Sequence, residues 1–101
     1  MGKFSGSEEI YRELVEESDE NWILGLVAFA VIEEQRVEWM RHQESNGASL
    51  PGPDEIKKWY EQQSEGVLLR AKGTAENALK VFSDDVIESY FRSSTVNRVS
   101  N

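Results

Sequence analysis

The stretch WILGLVAFAVIEEQRVEW, Trp22 to Trp39, decides the fold. Its first eleven residues, Trp22 to Ile32, carry no charge, and charged and amide side chains follow at once. A bilayer crossing needs about 20 apolar residues, whereas a run of 10–14 reads as a buried helix. The β-formers Val, Ile and Phe also suit a strand, but the pattern continues to Glu44 without a turn signal, which favours a helix. Ser18 or Asp19 is placed to cap its start and Asn46-Gly47 to end it. The expectation is a helix over about 20–45, roughly 36 Å long at 1.5 Å per residue.

On a helical wheel Trp22, Leu26, Phe29, Val37 and Met40 share one stripe, with Trp39 to one side. The first half is apolar all round and calls for cover from other helices or a second subunit. Glu33 lies inside the stripe, where an unpaired carboxylate is costly. Arg36, one turn on, is its expected partner, with Lys72 as the alternative base.

Outward from this helix, Glu8 to Glu17 reads as a short helix with Ile10 and Leu14, joined by Tyr11 and Val15, on its apolar side. Its acids oppose the dipole at its C-terminal end. The run NGASLPGP, residues 46–53, is the clearest loop. Pro53 then suits the first turn of a helix, in which Ile56, Trp59 and Tyr60 recur at helical spacing. A last helix is expected from about Ser64 to Phe91. Val67, Ala71, Thr74, Ala75, Ala78 and Phe82 make its stripe, widened by Leu68, Leu79 and Val86. Small residues in the middle of that stripe permit close approach to the bulky helix. The polar stretch 93–101 carries only positive charge and reads as a disordered tail. The fold class is therefore all-α. A single domain over 1–92 holds a small bundle of two long antiparallel helices, about 20–45 and 64–91, and two short ones.

Composition narrows the function classes. The chain has 101 residues and no cysteine, which removes disulfides, thiol nucleophiles and thiolate metal sites. The start, Met1 to Ser7, lacks the apolar core of a secretory signal. It also misses the myristoylation pattern, because Gly6 stands where Ser or Thr is needed. These features suit a cytoplasmic protein. The net charge is −8, with seven acids between Glu8 and Glu20. An acidic chain repels nucleic-acid phosphates, so no direct nucleic-acid partner is expected. The acid cluster leaves one alternative, a mimic of nucleic acid that blocks a nucleic-acid-binding protein.

Glu34, Glu38 and His42 recur at i, i+4 and i+8, a spacing that can present metal ligands. One histidine falls short of the paired Glu-x-x-His motifs of di-iron bundles, and HExxH is absent. A solvated face is the plainer reading, and no metal or cofactor is expected. No phosphate loop, nucleophile elbow or triad pattern is present. No catalytic residue is therefore expected. Trp22, Leu26, Phe29, Trp39, Met40 and Trp59 are the expected core or interface anchors, and Glu33 with Arg36 the expected polar site.

Gly25 to Trp39, GLVAFAVIEEQRVEW, resembles a stretch in small uncharacterised bacterial proteins whose helical cytoplasmic domain precedes a C-terminal membrane helix. Gly25, Leu26, Ala28, Arg36 and Trp39 fit that pattern. Phe29 and Ile32 stand where tyrosines occur, and Glu33 where a lysine does. The resemblance implies a bacterial origin and a membrane anchor missing from the chain's end, and it supplies no activity. Together these readings favour a helical interaction or oligomerisation module whose partner is a protein or a second copy of the chain. A small ligand- or metal-binding bundle built on Glu33, Glu34, Glu38 and His42 is the enzyme-like alternative.

Overall fold

A computed structural model describes residues 2–19, 21–47 and 49–100, with side chains as far as 92. It is all-helical, with no strand among the described residues. The order is α1 (Ser7–Tyr11), a π-helical turn (Arg12–Glu16), α2 (Trp22–Ser45), α3 (Pro53–Glu61) and α4 (Glu65–Ser100). The expected first helix is thus α1 plus the π turn, whose wider winding continues it to Glu16.

The span of α2 follows its sequence signals, with one correction at the start. Asn21, not Ser18 or Asp19, is the cap: its Oδ1 accepts the Ile23 amide at 2.8 Å. This satisfies one of the orphan amides of the first turn. At the far end Asn46 closes the helix and Gly47 turns the chain at φ +84°, a left-handed conformation that glycine adopts without steric cost. Pro53 opens α3 as expected. Ser64 starts α4, its Oγ accepting the Val67 amide at 3.2 Å.

The core gathers Phe4, Ile10, Leu14, Ala28, Ile32, Trp59, Tyr60, Leu68, Ala71 and Ala75. Ile10 and Leu14 are buried as their spacing implied. The buried face of α2 differs from expectation: it is Gly25, Ala28 and Ile32, and Trp22 is 63% exposed. A helix apolar on every side has no stripe of bulky residues to select a face, so close approach selects it. Small side chains let neighbouring backbones near, and the bulky Val27, Phe29 and Val31 flank the contact. A Cβ at Gly25 would stand 2.2 Å from the Leu14 carbonyl oxygen of the π turn. The α4 face against α2 is equally small, with Ala71 and Ala75 beside Leu68.

The other anchors tie the flanks. Phe29 meets Tyr11 edge-on at 5.4 Å, and Trp39 stacks on Trp59 at 6.2 Å. Leu26 and Met40 are half-buried. Phe4, absent from the expected core, is fully buried. Lys3 beside it reaches both Glu13 in the π turn and Glu65 at the start of α4. The first residues thereby strap across the bundle.

The largest departure is at the end of α4. The helix continues through Ser83-Asp84-Asp85 to Ser100, so the expected disordered tail is helical over 93–100. All residues from Lys80 to Arg92 are exposed. The outer half therefore leaves the bundle, and the molecule measures 63 × 37 × 18 Å. Its radius of gyration is 18.8 Å, against about 13 Å for a compact chain of 100 residues. Among the described residues no helix is long and apolar enough to cross a membrane.

Candidate functional site

Two surface features hold the residues singled out by the sequence. The first is polar. Glu33 projects from α2 toward α3, where the Tyr60 hydroxyl donates to both its oxygens at 3.0 Å. Arg36 Nε donates to Glu33 Oε2 at 2.8 Å, closing the expected i, i+3 ion pair. Arg36 Nη1 lies 3.2 Å from Met40 Sδ. Lys72, the other base considered, lines a separate recess with Glu13 and Glu65. Burial, and then the neighbouring Glu33 carboxylate, push the Tyr60 hydroxyl up to about 12. The hydrogen bond to Glu33 raises the Arg36 guanidinium above its ordinary value.

The trio lines a shallow cleft of about 490 Å³ with Ser5, Ser7, Ile56 and Lys57. Both Glu33 oxygens are engaged, and no buried side-chain polar atom among the described residues lacks a partner. The arrangement is a joint between α2 and α3, made tolerable because the half-buried charge is paired and hydrogen-bonded. Tyr60 was legible only as an aromatic anchor. Its role as hydrogen-bond donor lies 27 residues from Glu33 on another helix, beyond the reach of local spacing.

Glu34, Glu38 and His42 are exposed and do not converge with Glu33. His42 Nε2 lies 3.1 Å from Asn46 Nδ2. Among the described residues no group of three His, Asp or Glu side chains is placed to hold a metal ion.

The second feature is apolar. A groove of about 510 Å³ runs between the start of α2, at Ile23 and Leu24, and the outer half of α4, at Leu79, Phe82, Val86 and Ile87. Asn21, Glu76 and Ser83 are its polar members. The wheel explains it. At 100° per residue Leu79, Phe82, Val86 and Tyr90 continue the face that buries Leu68, Ala71 and Ala75. Past Leu79 that face opens to solvent: Phe82 is 65% and Tyr90 69% exposed. Trp22 stands at the same end of the molecule. Of these residues the sequence marked Trp22, Leu79, Phe82 and Val86. Tyr90 was missed, although its periodicity along α4 was the available signal; Ile23 and Ile87 lie beside the stripes and carried none.

Comparison with protein-family models, curated proteins and solved structures gives no match.

Proposed function

We propose that this chain is a non-enzymatic helical module that associates with itself through the apolar face shared by the start of α2 and the outer half of α4. One observation carries the reading. The stripe that forms the core along the first half of α4 runs on, unbroken, into a half exposed to solvent. Contiguous exposed apolar patches on otherwise polar molecules mark association sites. The polar cluster at Glu33 supports the bundle behind that face rather than a reaction. In this reading the chain works in the cytoplasm, and a membrane tether beyond Asn101 is tested separately by fractionating the native gene product.

The test is sedimentation velocity from roughly 1 µM to 1 mM, the range in which modest interfaces populate. The chain is expected to associate as concentration rises. A Phe82→Glu/Val86→Glu double variant should stay monomeric with its helix content and melting temperature kept. A wild-type chain monomeric throughout that range defeats the reading.

A further inference from the structure

The groove is lined in part by α4 itself, and the continuous helix carries its own end away from that groove. Resting on the self-association just proposed, we infer that two copies pair their α4 outer halves antiparallel about Ile87. The end of each helix beyond Glu88 then lies in the groove of the other copy, against its Ile23, Leu24 and Leu79. The partner copy thus supplies Tyr90 to a site that is incomplete without it.

Area and charge both point to a second copy in this sense. An aromatic side chain carries about 150–250 Å², so Trp22, Phe82 and Tyr90, each about two-thirds exposed, offer roughly 300–500 Å² per copy. Across a pair that is about twice as much, and Ile23, Val86 and Ile87 bring it to the ~1,200 Å² of a small stable interface. Residues 79–101 hold Lys80, Arg92 and Arg98 against Asp84, Asp85 and Glu88, and are neutral. The entire net charge of −8 therefore sits on residues 1–78. A parallel pair would bring two such bodies side by side. An antiparallel pair sends them to opposite ends, far beyond the ~8 Å over which salt leaves charges in contact. The incoming end has bases and no acid after Glu88, and the groove it enters has Glu76 on its lining. The interface is isologous, as closed pairs are.

The chain has no cysteine, so single spin labels can be placed cleanly at Asn77→Cys, Asp84→Cys and Glu88→Cys. All three positions are exposed and lie on the side of α4 away from the stripe. Distances between labels on the two copies should fall steeply along the series. The axial offsets are about 30 Å at 77, ~9 Å at 84 and ~3 Å at 88, at 1.5 Å per residue on each helix. Tyr90→Glu should weaken the pair by more than about tenfold. Near-equal distances at all three labels mean parallel pairing and overturn the inference while self-association stands. A Tyr90→Glu chain that pairs as tightly as wild type overturns it too. If the wild-type chain never pairs, the functional reading and this inference fall together.

Discussion

At the scale of single residues, two glycines make opposite predictions. Gly25 presses on the Leu14 carbonyl, and a methyl there would sit 2.2 Å from the oxygen. Gly25→Ala gains about 1 kcal/mol in helix propensity but must displace the whole π turn. Overpacking of this kind costs up to about 3 kcal/mol or more, so a net loss near 2 kcal/mol and a melting temperature lower by about 10 °C are expected. A methyl at Gly73, inside α4, would meet nothing within 4 Å. Gly73→Ala should therefore stabilise by about 0.5–1 kcal/mol. Calorimetry on both variants checks the pair of signs. Tyr60 gives the pH prediction. Its folded value, about 12, lies above its ordinary value of 10.0. The folded chain thus holds a proton that the unfolded chain releases between these values, and stability falls as pH rises from 10 toward 12. The loss, discounted for solvent screening, is on the order of 1 kcal/mol. It should be absent from Tyr60→Phe, measured by denaturant unfolding across that window.

At the scale of elements, α4 works as two helices in one. Its first half is held by α2, and its second half stands clear of the bundle. Asp84→Pro removes an amide and clashes with the preceding turn, but it does so in the outer half. Circular dichroism should show loss of some helix with the melting temperature of the bundle nearly unchanged, and sedimentation should show association lost. The elements differ in how plainly the sequence announced them. A charge-free run closed by Asn-Gly marked α2 almost to the residue. The end of α4 was hidden because Ser, Thr and Asn compete locally for backbone hydrogen bonds and read as coil, while a helix already nucleated extends through them. Glu33 was legible because a carboxylate in an apolar stripe demands an explanation. The buried face of α2 was not, because a helix apolar all round carries no periodic contrast. Nor was Phe4, an isolated aromatic in a short polar lead.

At the scale of the whole molecule, shape and charge are segregated along one axis. The compact end carries the acids, and the extended end is neutral and aromatic. A single chain is 63 Å long. Overlapping two outer halves about Ile87 covers about 40 Å at 1.5 Å per residue. Small-angle scattering on the associated form should therefore give a longest dimension of about 85 Å. A value near that of the single chain would signal side-by-side pairing instead.

The strap at the start of the chain has a consequence for synthesis. Lys3 and Glu65 are 62 residues apart, and Phe4 shares its core with Leu68, Ala71 and Ala75. The first residues off the ribosome therefore cannot be locked until nearly the last of the core has emerged. Between the completion of α2 at Ser45 and the arrival of Ala75 the ribosome adds about 30 residues, which takes about 2–6 s at 5–20 residues per second. Throughout that interval a helix whose first eleven residues carry no charge waits without its cover, which makes the nascent chain, more than the finished one, the natural client of a chaperone.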